Sequence, residues 1–131
     1  MRGLSLRVIV LVFMVSCGGE LLVSDEKAVE RVFYEWRDSL LRGDLERTYE
    51  LTSTRRRAYY RSIDEFKEEY RRYKHQWRAW LKDARVIMVA VEGIEATILV
   101  KIGEGSPRMF TARNELGFWR IEGYIERIGP R

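Results

Sequence analysis

The feature that most limits the fold of this chain is a change in the spacing of its apolar residues near residue 85. Before it, Val29, Val32, Phe33, Trp36 and Leu40 recur at helical spacing, and Ile63, Phe66, Tyr70 and Tyr73 repeat the pattern. After it, Ile94, Ala96, Ile98, Val100 and Ile102 alternate with Glu95, Thr97, Leu99 and Lys101, the period of two that a half-buried strand requires. Helices followed by a run of strands predict an α+β domain, with N-terminal helices packed on one face of a four-stranded antiparallel sheet.

Local chemistry sets the expected boundaries. Ser24 suits a helix N-cap, and Asp25 and Glu26 place acids where the helix dipole favours them. Gly43 is a natural stop, and Asp44 a cap for a short second helix carrying Leu45, Tyr49 and Leu51. Thr52, Ser53 and Thr54 interrupt the pattern. Ser62 and Glu65 have capping-box spacing for a third helix running toward Trp77 and Trp80. Residues 86–91 are continuously apolar and predict a buried strand. Turns are expected at Glu92-Gly93 and Leu116-Gly117, around strands over 94–102, 109–115 and 118–125, with Trp119 and Ile121 on an inner face. There is no internal repeat and no low-complexity segment.

The first residues follow another logic. Arg2 and Arg7 flank the start of an apolar run over residues 8–15. A membrane-spanning helix needs about 20 such residues, so the run predicts an export signal rather than a stable span. It ends in Met14-Val15-Ser16-Cys17-Gly18, which resembles a bacterial lipobox with Met where Leu is usual. That resemblance implies cleavage between Ser16 and Cys17 and a lipid on Cys17. It divides the chain into a signal over 1–16, a lipidated tether over 17–24 and one domain over 25–131. The product would sit in the cell envelope, anchored to a membrane and facing away from the cytoplasm. Cys17 is the single cysteine, so no internal disulfide competes with this role.

Without the signal, 22 basic residues stand against 20 acidic ones, a balance that gives no basis for a nucleic-acid partner. The charged fraction of 34% exceeds the usual value of about 25%, and Asn114 and Gln76 are the sole side-chain amides, a composition seen in thermophile proteins.

The order helix, short helix, helix and four strands resembles the nuclear transport factor 2-like (cystatin-like cone) superfamily, and small bacterial lipoproteins of that fold. The likeness rests on the helix over 29–41 followed by Arg42-Gly43-Asp44-Leu45, on Ser62-Ile63-Asp64-Glu65-Phe66, and on the closing Gly117-Phe118-Trp119-Arg120-Ile121. It implies a sheet curved around the long helix with a pocket at its open end. Enzymes of the superfamily use Asp, His or Tyr inside the cone, but no position here matches their motifs, so no catalytic residue is carried over.

Several residues remain as candidates. Phe33, Trp36, Phe66, Tyr70 and Trp119 are expected either to line such a pocket or to fill the core. Glu95, Glu115 and Glu122 fall on strands. Each reads first as surface charge, and as a general base only if buried. Arg113 and Arg120 are expected to pair with acids across the sheet. His75, the one histidine, lies in a polar stretch without a partner for catalysis, and no cofactor or metal site is indicated. The clearest anomaly is basic: residues 55–85 hold eleven Lys or Arg against five acids. Arg55, Arg56, Arg57, Arg61, Arg71 and Arg72 are its core, interleaved with Tyr59, Tyr60, Trp77 and Trp80. They read as a solvated helix face or as contacts to an anionic membrane surface.

Three functions are compatible with this reading. The first is a membrane-tethered, non-enzymatic domain binding a small apolar ligand or an envelope protein. The second is a lyase, isomerase or cyclase using one buried carboxylate. The third is a structural adaptor in an envelope complex. The anchor is tested directly. Mass spectrometry of the mature protein should show Cys17 as its N-terminus with at least a diacylglyceryl group added; an unmodified thiol or a different N-terminus would refute it.

Overall fold

The computed structural model describes residues 23–125. Residues 1–22, which hold the expected export signal and its Ser16-Cys17 junction, lie outside the described residues. The first helix, α1, spans Asp25–Arg42, and its start and stop follow from side chains. Ser24 Oγ accepts the Lys27 backbone N–H at 3.2 Å. At the other end Gly43 takes φ +79°, and the Gly43 and Asp44 N–H groups return to the Leu40 and Ser39 carbonyls. This satisfies carbonyls that a helix end leaves open. Asp44 then caps α2 (Leu45–Glu50), its carboxylate accepting the Arg47 N–H at 3.3 Å.

The interruption expected at Thr52-Ser53-Thr54 holds more structure than that: Ser53 starts a further short helix, α3 (Thr54–Arg57). Its first turn is held by Glu115, whose carboxylate accepts the Thr54 N–H at 2.9 Å and the Thr54 hydroxyl at 3.0 Å. The third expected helix is two. α4 (Ile63–Arg72) begins at Ser62, as its capping chemistry requires, and passes through Tyr73 into α5 (Lys74–Leu81). Among the described residues no helix is long and apolar enough to cross a membrane.

Strands β1 (Arg85–Glu92), β2 (Glu95–Lys101), β3 (Arg108–Glu115) and β4 (Phe118–Ile125) form one antiparallel sheet in sequence order, not closed into a barrel. β2 and β3 keep strict alternation, with Ala96, Ile98, Val100, Phe110 and Ala112 buried. β1 differs from expectation. It is an edge strand with a bulge between Val86 and Met88, and Ile87 and Met88 are exposed. Its continuous apolar run arose from two partly exposed faces, which periodicity does not distinguish from burial on both.

The buried stripe of α1 lies on this sheet. Val29, Phe33, Trp36 and Leu40 pack with Ile98, Phe110 and Ile121, and the Phe33 and Phe110 rings meet edge to face at 5.1 Å. Each fully buried side chain of this size contributes about 1.5–3 kcal/mol. Two polar ties fix the register of the layers. Tyr34 Oη accepts the Val86 N–H at 2.9 Å, and Arg37 donates to the Ala84 carbonyl at 2.7 Å.

A buried hydroxyl chain joins α1 to α2. Ser39 and Thr48 hydroxyls meet at 2.7 Å. The Thr52 hydroxyl donates to the Thr48 carbonyl at 2.7 Å and accepts the Trp36 indole N–H at 3.3 Å. Thr52 in turn lies beside β4, because the Ile121 N–H and carbonyl bond the Leu51 carbonyl and the Ser53 N–H, each at 2.8 Å. Replacing Thr52 by Val keeps the shape and strands the indole N–H. Denaturant unfolding of Thr52→Val should show a loss of about 1–3 kcal/mol with an unchanged denaturant slope; an unchanged midpoint would show the indole satisfied elsewhere.

Candidate functional site

Between α4, α5 and the inner face of the sheet lies a cavity of about 370 Å³. Its floor is Trp36 and Leu40 of α1, Thr52 after α2, Phe110 of β3 and Ile121 of β4. Phe66 and Tyr70 of α4 and Trp77 and Trp80 of α5 form its walls, with Tyr73 and Gln76 exposed near the rim. The Tyr70 hydroxyl donates to the Leu40 carbonyl at 2.9 Å, which pins α4 against the end of α1. The Trp77 and Trp80 rings meet edge to face at 6.2 Å.

The polar lining is small: Arg56, Tyr60, Glu69, Gln76 and Glu122 besides the Thr52 hydroxyl. The Tyr60 hydroxyl donates to Glu69. Burial, then this bond to the Glu69 carboxylate, pushes the Tyr60 phenol up to about 12. The Arg56 guanidinium stacks over Tyr59 at 5.1 Å. Arg56, Tyr60 and Glu69 also border a second, polar cleft with Glu65, Glu68 and Arg72.

Glu122 reaches the cavity by an irregularity. Alternation from the buried Trp119 and Ile121 would place it on the outer face with Arg120. The β3–β4 register shifts between Thr111 and Ala112, which pair with Gly123 and Ile121, leaving Glu122 as the extra residue. A bulge of this kind re-aims a side chain. Gly123 supports it with φ +150°, a backbone state that side-chain-bearing residues rarely adopt. Among the described residues, Oε1 of Glu122 is buried without a hydrogen-bond partner, and Arg55 Nε stands 4.0 Å from it.

The expected site residues therefore divide. Trp36, Phe66 and Tyr70 line the cavity, while Phe33 and Trp119 are buried in the core and do not. Glu95 is exposed and paired with Arg113 at 3.2 Å, and Glu115 pairs with Arg120 at 3.5 Å besides holding α3. His75 is exposed and does not line the cavity. The arginines do not share one role. Arg55, Arg61, Arg71 and Arg72 are exposed, but Arg56 turns to Tyr59 and Arg57 lies over Tyr49 at 5.4 Å. Sequence reasoning missed the cavity roles of Tyr60, Glu69, Trp77 and Trp80, and held Glu122 as one of three strand carboxylates without a reason to prefer it. The one available signal was Gly123, a glycine inside a strand pattern, which marks a bulge. No protein-family model, curated protein or solved structure matches the chain.

The Tyr60 environment has a pH signature. Its folded value of about 12 lies above the ordinary 10.0, so the unfolded chain releases this proton first as pH rises. The contribution is complete below the ordinary value and is lost as pH climbs to the folded one. Ultraviolet titration of phenolate should show a late-ionising tyrosine that disappears in Tyr60→Phe, and the alkaline loss of stability over that window should shrink in the same variant. A titration curve unchanged by the substitution would contradict the assignment.

Proposed function

We propose that this chain is a lipid-anchored envelope protein whose single α+β domain, on the plan of the nuclear transport factor 2-like cone, holds a small and largely apolar ligand. The observation that carries the binding reading is the aromatic-walled cavity. Its volume of about 370 Å³ falls in the range of about 300–1,000 Å³ common for small-molecule sites. Such sites pair apolar walls with a few polar groups that orient the ligand, and this cavity has that makeup. The anchoring reading is supported by the sequence alone, through the apolar run over 8–15 and the Ser16-Cys17 junction.

The enzymatic alternative draws on one observation, the Glu122 carboxylate on the cavity wall with an oxygen that accepts no hydrogen bond. A general base must reach the proton it takes, and Glu122 meets that requirement better than Glu95 or Glu115. The binding reading needs no further residue to complete it, and so stands first.

A neutral apolar dye such as N-phenylnaphthylamine tests the binding reading. It should bind saturably to one site, and Trp77→Ala should weaken it about tenfold, as expected for about 1.4 kcal/mol of lost aromatic contact. Phe118→Ser, at an exposed position that does not line the cavity, should leave binding unchanged. Non-saturable uptake, or affinity untouched by Trp77→Ala, would remove the reading. Native mass spectrometry of protein from its own host separates the alternatives. A retained compound recovered unchanged favours binding, and its conversion favours the enzyme.

A further inference from the structure

We infer that the ligand of this cavity carries a flat aromatic ring, and that the paired rings of the walls, Trp77 with Trp80 and Tyr60 with Phe66, select it over a saturated molecule of the same skeleton. The inference rests on the cavity being a ligand site and concerns which apolar body it prefers. The sequence holds four Trp, seven Tyr and five Phe. Half of these aromatic residues, three of the tryptophans included, line this one space. Among the described residues Leu40 and Ile121 are its sole aliphatic members.

Core packing does not account for the whole concentration. Val29, Phe33 and Ile98 are fully buried where α1 meets the sheet. Phe66, Trp77 and Trp80 pack against that core and yet keep part of their surface open, beside a space of about 370 Å³. Apolar surface that stays in contact with water is what a ligand gains by covering.

The arrangement of the rings narrows the ligand further. An aromatic ring has a negative face and a positive edge, so two rings attract when offset-stacked or edge to face, beyond what burial of area gives. A saturated body has no such complement. Trp77 and Trp80 stand at 76° with centroids 6.2 Å apart, and Tyr60 and Phe66 at 81° and 5.4 Å. On the floor Trp36 and Phe110 meet at 65° and 6.0 Å. A flat ring that stacks on one member of such a pair lies nearly at right angles to the other. One contact is then stacked and the second edge to face. The hydroxyls nearby have committed their protons within the protein: Thr52 donates to the Thr48 carbonyl, Tyr70 to the Leu40 carbonyl and Tyr60 to Glu69. A polar substituent on the ligand is better placed at the rim, where Tyr73 and Gln76 are exposed.

A matched pair of compounds decides the matter. Naphthol and decahydronaphthol, with the hydroxyl at the same carbon, share one skeleton and are both uncharged at neutral pH. The saturated molecule has the larger apolar surface, so burial alone ranks it equal or higher. Each competes with the apolar dye on the native full-length protein. Naphthol should bind at least about threefold more tightly. Trp77→Leu keeps an apolar side chain and removes the ring; it should reduce that preference by about twofold or more. Trp77 is the cleaner choice, because the Arg108 guanidinium stands over the Trp80 ring at 5.5 Å. A slot that only excluded the thicker saturated body would keep its preference in Trp77→Leu. Decahydronaphthol binding as tightly as naphthol, a preference smaller than about threefold, or an undiminished preference in the variant would each overturn the inference. Were Trp77→Leu to unfold, Phe66→Leu carries the same expectation, and the ranking on the native protein still decides. Saturable dye binding without the naphthol preference removes this inference alone. Absence of saturable dye binding removes the ligand-site reading itself.

Discussion

The hydrogen bond from the Trp36 indole to the Thr52 hydroxyl is the point where the helical layer, the loop layer and the sheet meet. Trp36 belongs to the buried stripe of α1, and its ring packs on Phe110 of β3 at 6.0 Å. Thr52 follows α2 and lies against Ile121 of β4. One donor and one acceptor therefore fix the distance between the long helix and the last strand. A buried donor that loses its partner keeps the full desolvation cost, so the geometry tolerates little drift. The cavity floor inherits that rigidity, because Trp36, Thr52, Phe110 and Ile121 all face it. The adaptable part of the lining lies at the rim, where Tyr73 is 45% exposed and few contacts oppose rotamer changes.

What was legible in the sequence was local. Ser24, Gly43, Asp44 and Ser62 act through groups within a few residues, so their caps could be read from order alone. The alternation of 94–102 could be read for the same reason, since each residue reports its own face. The fold class followed from the change of period. The cavity did not, because it depends on three departures from periodicity. Tyr73 separates α4 from α5 without Gly or Pro to announce the break. The apolar run of β1 sits at an edge rather than in the middle of the sheet. Glu122 is displaced by a bulge visible only once β3 and β4 are paired. Trp36, Phe66 and Tyr70 could be placed because helical stripes point inward wherever the helix packs. Phe33 of α1 and Trp119 of β4 are also turned inward, and yet they are core and outside the cavity lining.

The basic excess over residues 55–85 looks, in sequence, like a charged surface awaiting an anionic partner. In three dimensions much of it is engaged by the protein's own side chains. Arg56 and Arg57 cover Tyr59 and Tyr49, trading solvent for ring faces. Arg55 stands over the bulged Glu122, and Lys67 pairs with Glu46 of α2. Arg72 borders a cleft that also holds Glu65, Glu68 and Glu69. Counting charges along a chain overstates the field that a surface presents, because acids one helical turn away and aromatic faces absorb it. Arg61 and Arg71 are among those that remain exposed, and near an anionic surface each basic residue contributes about 1 kcal/mol. Arg56 lines the cavity beside Tyr60 and Glu69, and Arg55 stands over Glu122 where the bulge has displaced it.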